Sequence, residues 1–353
     1  MTALCRHFGT CGGCAYQDMP DDAYRTLKKA NVADALARHG FAEPVVEDIV
    51  EVAPGTRRRA AFKAAKNDGA VRLGFHAAAS HDIVDMQECR VLTRSLFALV
   101  AGLRSMMAEL LDEGQKAELF ITETQNGTDV AIRWSRPRNS AMTSAAARWA
   151  TRLRLARVTA NGEPLVELAP PVVTFGEAEV ILPHDVFLQP TQDGEALLQA
   201  KVLDGVNKAK SVADLFAGAG TFALVVAQAA RVHAVEMEGA ALDALAAAGR
   251  ATPGLKPVTI EKRDLFKLPL GVPELAKFDA VILDPPRVGA NAQARELAKS
   301  KIRRIVYVSC NPQSFARDAR TLVDGGYRMG TITPVDQFLW SSHIELVAAF
   351  TRD

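Results

Sequence analysis

Two ionisable side chains stand where they could carry out covalent chemistry. Cys310 ends the apolar run VYVS and is followed by Asn311-Pro312, a pair typical of a helix start. A thiol at the carboxyl end of a parallel strand lies where open α/β sheets bind ligands, and we expect the next helix to depress its pKa and make it a nucleophile. Glu345 enters the last apolar run, where burial would raise the pKa of its carboxyl and make it a general base. Considered alone, a strand-end cysteine is more often a buried inert thiol, and the neighbouring Asp284-Pro-Pro-Arg287 motif favours the nucleophile. His343 is expected to be a hydrogen-bonded structural residue.

A glycine-containing turn indicates a nucleotide cofactor. The motif DLFAGAG at residues 214–220 follows a predicted strand, and its glycines let the backbone approach a ligand at the start of the next helix. Glu236, sixteen residues after Gly220, ends the next strand and could accept both ribose hydroxyls of an adenosine, and Asp264 could reach the adenine edge. Ala223 stands where a dinucleotide fingerprint has a third glycine. The pattern favours S-adenosylmethionine over NAD.

The fourth strand of the second half ends in Asp284-Pro-Pro-Arg287. Amino-methyltransferases carry Asn/Asp-Pro-Pro and then an aromatic residue, which stacks on the amine-bearing substrate. Arg287 replaces that aromatic residue, which argues against methylation of an amine.

Four further cysteines need a separate explanation. Cys5, Cys11 and Cys14 follow the spacing C-x5-C-x2-C, and Cys89 lies farther along the chain. An odd total of five cysteines argues against a framework of disulfides. The N-terminus has no apolar stretch typical of a secretory signal, so we expect a cytoplasmic protein.

The charge is balanced overall but uneven along the chain. The net charge is +1, from 42 Lys and Arg against 41 Asp and Glu. Residues 54–76 are locally basic, and residues 130–160 hold seven arginines, Arg138 among them, and no acid. Solvated faces would explain either segment alone, but together they favour a polyanion, because clustered cations displace its condensed counterions. The candidates for contact with such a polyanion are Arg57, Arg58, Arg59, Lys63 and Arg133.

Length and composition predict a globular protein of two domains. The chain has 353 residues, against roughly 150 for an average domain. A hydrophobic content of 48% and a charged content of 24% are ordinary for globular chains. No apolar run approaches the ~18 residues of a transmembrane helix, so no membrane partner is expected.

The second half predicts a doubly wound α/β sheet of the methyltransferase type. Short β-branched runs alternate with helical stretches, which is typical of βαβ units and of a parallel sheet covered on both faces. The link between the last two strands is too short for a helical crossover, so the last strand should be antiparallel. The seven predicted strands are 211–216, 231–236, 258–262, 279–284, 304–309, 328–335 and 344–350.

The first half predicts a less regular α+β domain. An amphipathic helix is expected at 22–39, with packing on the second domain as one option, and another helix at 92–111. The predicted boundary divides the chain into 1–185 and a catalytic domain at 186–353. The predicted strands of the first half are 70–75, 83–85, 118–123, 129–134 and 179–182.

Together these motifs resemble the class I RNA uracil-C5 methyltransferase family, whose members make 5-methyluridine in ribosomal or transfer RNA. The resemblance extends over essentially the whole chain. The matching motifs are Phe187-Leu-Gln189, Asp214 to Gly220, Asp284-Pro-Pro-Arg287, Ser309-Cys310-Asn311-Pro312 and Asp336-Gln-Phe338 followed by His343-Ile-Glu345.

The resemblance implies a role for each residue of these motifs. Cys310 would be the nucleophile that adds to C6 of the uracil, and Glu345 the acceptor of the C5 proton. A base inside an RNA stack would have to be flipped out to reach the thiol. The residues implied or expected to bind S-adenosylmethionine are Gln189, Phe216, Gly218, Gly220, Glu236, Asp264 and Asp284.

The resemblance also accounts for the cysteine cluster. One branch of the family holds a [4Fe–4S] cluster with C-x5-C-x2-C and a distant fourth cysteine, which implies Cys5, Cys11, Cys14 and Cys89 as ligands here. Zinc in a four-cysteine site is the alternative. Many members also carry an RNA-binding TRAM barrel before the cluster, and we expect this chain to lack it.

Several alternatives stay open at this point. The iron–sulfur branch favours 23S ribosomal RNA as the substrate, with transfer RNA as the alternative. A methyltransferase acting on another base position or a small molecule, and a non-catalytic RNA-binding iron–sulfur protein, are the rival functions. We expect a monomer with no obligate protein partner. In the last motif, Leu339 and Ser341 replace the family's usual Pro and Thr.

Overall fold

The computed structural model describes residues 4–137 and 139–352, and Arg138 of the basic run lies outside the described residues. Within the described ranges, no helix has the length and apolar content needed to cross a membrane. The elements in chain order are α1 (Asp21–Arg38), β1 (Val50–Glu51), β2 (Arg59–Asn67), β3 (Ala70–Gly74), α2 (Arg94–Leu110), β4 (Lys116–Thr124), β5 (Gly127–Trp134), α3 (Ser140–Leu153), β6 (Leu155–Ala160), β7 (Glu163–Glu167), β8 (Val172–Phe175), β9 (Ala178–Ile181), α4 (Gln192–Val206), β10 (Ser211–Leu215), α5 (Ala223–Val226), β11 (Arg231–Glu236), α6 (Gly239–Ala251), β12 (Val258–Lys262), α7 (Val272–Leu275), β13 (Ala280–Leu283), α8 (Asn291–Lys299), β14 (Arg304–Ser309), α9 (Pro312–Asp324), β15 (Arg328–Asp336) and β16 (Glu345–Thr351).

The larger sheet has the strand order β1-β15-β16-β14-β13-β10-β11-β12. All seven strands predicted for the second half form. The prediction that the last strand is antiparallel is confirmed, because β16 runs against both of its neighbours, β14 and β15. The expected count of seven is wrong by one: β1, only two residues long, joins the edge by pairing in parallel with β15.

Helices cover this sheet on both faces, as its apolar strands require. One core combines side chains of α1, α8 and α9 with one face of the central strands. The other core combines α4, α5 and α6 with the opposite face. Strand β10 shows the alternation: Ala213 and Leu215 belong to the first core and Val212 to the second.

The smaller sheet has the order β3-β2-β4-β5-β6-β7, antiparallel except between β5 and β6. Helices α2 and α3 pack on it around one apolar core. Of the strands predicted for the first half, 83–85 is wrong, since Ile83 forms only an isolated bridge with His76.

Parts of the first half also cover the larger sheet. Helix α1 packs against α9, and Val32, Ala35 and Leu36 of α1 are fully buried there. The hairpin β8–β9 packs against α6. Segments that precede residue 185 therefore lie on both sides of the larger sheet.

Candidate active site

The predicted functional residues meet at one edge of the larger sheet. Strands β10, β13 and β14 are parallel, so the residues that follow them, Phe216, Asp284 and Cys310, lie at the same edge. Strand β16 is antiparallel and therefore begins where the others end. Its first residue, Glu345, pairs with Val335, and the next residue along β16 pairs with Ser309. This register places Glu345 beside Cys310.

A cavity of about 1230 Å³ opens at this edge. Its size suits a nucleoside cofactor together with part of a second substrate. Gly220 does not line it: its φ is +102°, and a Cβ at this position would stand 2.9 Å from the Leu224 and Leu245 side chains, so this glycine serves packing. The sequence-predicted site residues that line the cavity are Arg133, Gln189, Phe216, Gly218, Glu236, Asp264, Asp284, Cys310 and Glu345.

Glu236 organises the turn after β10. One carboxylate oxygen accepts the Gly218 amide at 3.1 Å, and the other accepts the amides of Met237 and Glu238 at 2.7 and 3.0 Å. Gly218 has a φ of +54°, a left-handed conformation that suits glycine. The carboxylate is thus held at the mouth of the glycine turn, where a ribose hydroxyl could reach it.

Phe216 has a strained backbone conformation in the same turn. Its φ is +64°, which bulky residues rarely adopt. Its ring lies 5.4 Å from that of Phe266, centroid to centroid, and both rings line the cavity. The pair provides an apolar surface on which a flat heterocycle could rest.

The electrostatics around Cys310 contradict the predicted depression of its pKa. The pKa of this thiol is raised to about 12 by burial first and then by the carboxyls of Glu345 and Asp284, while Arg287 opposes them. The prediction from the helix start is therefore wrong for this cavity. Desolvation and two neighbouring acids outweigh the favourable end of one helix.

The pKa values of Glu345 and Asp284 are also shifted from their ordinary values. The prediction that burial raises the pKa of Glu345 is confirmed: it rises to about 8, with Asp284 as a second cause and Arg287 opposing. Burial also raises the pKa of Asp284 to about 7. A carboxyl with a pKa near neutrality is well suited to accept a proton and release it again.

Asp214, at the end of β10, is a further buried acid. Both of its carboxylate oxygens lack a hydrogen-bond partner among the described residues. Burial raises its pKa well above the usual range, and the negative charges of Asp284 and Glu236 act in the same direction. The motif that predicted a cofactor turn therefore also contains a fully buried carboxyl whose charged form is disfavoured.

A buried network holds the loop at residues 337–344 that precedes Glu345. The ammonium of Lys28 in α1 lies 2.9 Å from a carboxylate oxygen of Asp336, and both side chains are fully buried. Tyr24 donates to the other oxygen of Asp336 and accepts the amide of Trp340 at 2.8 Å. Lys28 also donates to the carbonyl of His343. The sequence did not reveal these contacts, because more than 300 residues separate the partners.

The cysteines of the first half line a separate cavity of about 410 Å³. Cys5, Cys11, Cys14 and Cys89 all contribute to its wall, and all are free thiols. The pKa of Cys14 is raised to about 11, by burial first and then by the other three cysteines. Within the described part of the chain, no three Cys, His, Asp or Glu side chains form a group that could hold a single metal ion. The four thiols thus surround a space instead of meeting at a point.

The loop at 337–344 separates this cysteine cavity from the edge of the larger sheet that carries Cys310 and Glu345. Phe338, Ser341, Ser342 and His343 line the cysteine cavity. The Trp340 carbonyl accepts the amides that follow Cys14, at 2.6 and 3.1 Å. The loop that leads to Glu345 is therefore attached to the cysteine segment by backbone hydrogen bonds.

Arg58 has to be removed from the predicted RNA contacts. Its guanidinium is buried, lies 2.7 Å from Glu195 and donates to the Gln189 carbonyl at 3.2 Å. A cation so enclosed and paired is not available to a phosphate. It links the smaller sheet to α4 and to the cavity wall.

Two other predicted contacts are paired with acids. Lys63 pairs with Glu118 on the neighbouring strand. Arg133 lies 2.8 Å from Asp185 and remains about half exposed. Their charges are largely neutralised within the chain.

Arg57 and Arg59 lie against aromatic rings. Arg57 stands 5.8 Å from the Phe338 ring and lines the cysteine cavity, and Arg59 stands 5.3 Å from the exposed ring of Phe187. Burial lowers the pKa of both guanidinium groups from their ordinary values. They help to shape the two cavities.

Comparisons with known proteins agree with this geometry. The tRNA (Uracil-5-)-methyltransferase family model matches residues 179–352. An uncharacterized RNA methyltransferase of Agrobacterium fabrum is 42% identical over 356 residues, covering 99% of this chain and 85% of its own. The 23S rRNA (uracil(1939)-C(5))-methyltransferase RlmD of Chromohalobacter salexigens is 32% identical over 368 residues, covering 100% of this chain and 76% of its own.

The chain belongs to the RNA uracil-C5 methyltransferase family. It is an S-adenosylmethionine-dependent RNA (uracil-C5) methyltransferase, so the non-catalytic alternative falls away. A solved tRNA (uracil-54, C5)-methyltransferase of Pyrococcus abyssi, in complex with S-adenosyl-L-homocysteine, has the same fold. Its TM-score is 0.76 at 22% identity, covering 96% of this chain and 86% of that one.

The reaction of the RNA uracil-C5 methyltransferase family determines which groups the large cavity must accommodate. The enzyme must bring together a methyl donor, a uracil ring and a proton acceptor. The cavity contains a glycine turn at one end and a thiol beside a carboxyl at the other. The glycine turn, the thiol and the carboxyl thus border one open cavity.

Proposed function

We propose that this enzyme methylates C5 of a specific uridine in RNA through a covalent bond between Cys310 and C6 of the uracil. The observation that carries the proposal is the placement of Cys310 next to Glu345, in the wall of the cavity that holds the glycine turn. C5 of uracil is a poor nucleophile by itself. Addition of a thiolate at C6 makes it reactive, which is the purpose of covalent catalysis here.

The cofactor end of the cavity is built from the glycine turn and the residues around it. We assign the ribose to Glu236, the adenine to the Phe216 and Phe266 surface with Asp264, and the remaining contacts to Gln189 and Asp284. The open cavity between these side chains fits a nucleoside. When bound, S-adenosylmethionine supplies the methyl group as a sulfonium electrophile.

The first covalent step belongs to Cys310. The thiol loses its proton to water, and its sulfur forms a bond to C6, which moves the ring's π electrons into an enolate. With S-adenosylmethionine bound, C5 would attack its methyl carbon, so that a C5–CH3 bond would form as the S–CH3 bond breaks and S-adenosylhomocysteine leaves. Arg287, the one cation among the groups that shift the pKa of both Cys310 and Glu345, favours the anionic forms of the site.

The second step belongs to Glu345. Its ionised carboxylate takes the proton from C5, the C5–C6 double bond returns, and the C6–sulfur bond breaks to restore the thiolate. A pKa of about 8 fits this task, because the carboxylate is basic enough to accept the proton and acidic enough to release it.

Mapping of the product tests the proposal. Wild-type enzyme should form 5-methyluridine at one site, detected by mass spectrometry of nuclease digests. Cys310→Ala should form none yet bind S-adenosylmethionine with unchanged affinity in calorimetry. Full activity of that variant would rule out the covalent route, and methylation at another atom would favour the rival base position.

We propose 23S ribosomal RNA as the substrate. The relative at 32% identity is a 23S rRNA methyltransferase, and it matches the full length of this chain. The similarity to the transfer-RNA enzyme rests on fold, at 22% identity. Comparing 5-methyluridine in ribosomal and transfer RNA from cells with and without the gene distinguishes the two. A cytoplasmic location and a monomeric state stay predictions.

We further propose that Cys5, Cys11, Cys14 and Cys89 hold a [4Fe–4S] cluster. Four thiols around a cavity of about 410 Å³ suit a cluster, in which each thiolate binds its own iron atom. A single zinc ion would require the four sulfurs to meet at one point. Burial and, to a smaller extent, the neighbouring cysteines raise the pKa of Cys14, and bonds to metal would offset both effects by stabilising the thiolates.

Metal analysis tests this second proposal. Protein purified without oxygen should contain iron and sulfide in equal amounts, about four of each per chain, and should absorb visible light. A colourless protein with one zinc per chain would refute the cluster.

A further inference from the structure

A second, smaller cavity opens on the other side of Cys310. Its volume is about 210 Å³. Two residues, Cys310 and Arg287, line both this cavity and the large one. We call it the α1 cavity, because helix α1 provides one wall. Its other lining residues are Asn31, Asp34, Arg38, Asn311, Pro312, Gln313, Ser342, His343 and Ile344.

The α1 cavity carries unpaired cations. Neither Arg38 nor Arg287 forms an ion pair or a side-chain hydrogen bond with any described residue, and both are exposed. The predicted RNA-contact residues differ in this respect: Arg58 pairs with Glu195, and Arg133 with Asp185. Positive charge next to the nucleophile is therefore available to an anion from outside.

The same cavity presents free hydrogen-bonding groups. The side chains of Asn31, Asp34 and Gln313 have no partner among the described residues. The Asn311 side chain, in contrast, already has hydrogen-bond partners. Its oxygen accepts the Gln313 amide at the start of α9, and its nitrogen donates to the Arg287 carbonyl at 2.8 Å. Asn311 therefore fixes the wall, while the free side chains face whatever enters.

An RNA substrate has to pass close to this place. The target uracil must lie between Cys310 and Glu345, and the glycine-turn end of that cavity is needed for the cofactor. A flipped base remains joined to its neighbours through the ribose-phosphate backbone. The next nucleotide must therefore lie within one backbone step of Cys310, and the α1 cavity is a polar space that shares Cys310 in its wall with the large cavity.

We propose, resting on the RNA methylation proposed above, that the α1 cavity binds the nucleotide next to the target uridine. Arg38 and Arg287 bind the phosphate on this side, and Asn31, Asp34 and Gln313 contact the neighbouring base. Because a carboxylate only accepts hydrogen bonds, Asp34 favours a base that presents an N–H group on the edge it contacts. Helix α1 would then be a specificity element of the enzyme.

The phosphate contact is tested with Arg38→Ala. The variant should raise the KM for RNA several-fold at unchanged kcat, and it should reduce the slope of log affinity against log salt by about 0.7–1, the loss of one phosphate contact. Arg38→Lys keeps the charge and should retain most of the salt dependence. Arg25→Ala is the matched control, since Arg25 lies on the same helix, pairs with Glu51 and does not line the cavity.

The base contact is tested with RNA randomised at the two positions that flank the target. Wild type should prefer particular bases at one flanking position, and Asp34→Ala should flatten that preference while leaving the salt slope unchanged. Asp34 is exposed, so the variant should keep the wild-type thermal midpoint.

Two outcomes would overturn the inference. One is an Arg38→Ala enzyme whose RNA affinity or salt slope equals that of wild type, and the other is an Asp34→Ala enzyme with an unchanged flanking preference. Both experiments can be interpreted only if the wild-type enzyme forms 5-methyluridine. If wild type forms none, the proposed function fails first, and the two failures are thereby told apart.

Discussion

The molecule holds cysteines in two cavities, and the neighbours of each thiol differ. Around Cys310 stand two carboxyls and one guanidinium, and its pKa rises to about 12. Around Cys14 stand three other cysteines, and its pKa rises to about 11. Burial is the main cause in both places. A high thiol pKa therefore does not distinguish a nucleophile from a metal ligand; the surrounding groups do.

The neighbours also indicate how each thiol could lose its proton. Bound iron would ionise four adjoining thiols permanently, because each thiolate gains a metal bond. At Cys310, the thiolate is needed only while the pyrimidine is attacked. The loop at 337–344 separates these two environments and is attached to both.

Replacing one cysteine in each cavity with alanine should give the largest difference between the two cavities, in iron content and in methylation activity. Cys14→Ala should lose the visible absorbance and essentially all bound iron, because a cluster ligand is missing. Cys310→Ala should keep the full iron content and lose methylation. Iron analysis and 5-methyluridine assays on both variants check this. If Cys310→Ala also lost its iron, the two cavities would not be chemically separate.

Glu345→Gln should act after the covalent bond has formed. An amide cannot accept the C5 proton, so turnover should fall by about 10²–10⁴-fold, the usual contribution of a general base. The protein–RNA adduct should accumulate, visible as a slow band in denaturing gels. A variant that turned over normally would require another proton acceptor.

Lys28→Met should weaken the attachment of the loop between the cavities. The variant leaves the Asp336 carboxylate buried without its cation, which typically costs about 3–5 kcal/mol. The thermal midpoint should fall accordingly. Arg25→Ala, an exposed change on the same helix, should leave it nearly unchanged. A stable Lys28→Met protein would show that this pair contributes little.

Alkylation of Cys310 should reveal the smallest effect. Below a thiol pKa of about 12, the thiolate fraction and hence the rate of reaction with iodoacetamide should rise about tenfold per pH unit. The positive sulfonium of S-adenosylmethionine should lower the apparent pKa by about one unit or more. S-adenosylhomocysteine is neutral at its sulfur and should leave the apparent pKa of Cys310 unchanged. Equal pKa shifts with both compounds would indicate that packing, and not charge, causes the change.

Much of the larger sheet could be predicted because its strands are short β-branched runs ending in polar motifs. The motifs after β10, β13 and β14 indicated which residues meet, since parallel strands end at one edge. The pKa of Cys310 could not be predicted, because it depends first on burial in the folded cavity and then on Glu345, which joins the site only through the register of β16.

The smaller sheet was harder to predict from the sequence. Strand β2 mixes basic residues with alanines, so its composition indicates a charged surface, although Ala60, Phe62 and Ala64 are buried. Helix α3 was likewise hidden in the arginine run, since three of its four buried residues are alanines. Charge composition indicates neither pairing nor burial, as Arg58 shows.

The most direct test of the central claim uses RNA with 5-fluorouridine at the target position. Fluorine at C5 cannot be removed as a proton, so the reaction should stop with enzyme bound to RNA. Digestion and mass spectrometry should place the methylated fluoropyrimidine on the peptide that contains Cys310. An adduct on another cysteine, or methylated RNA released with no adduct, would contradict the account.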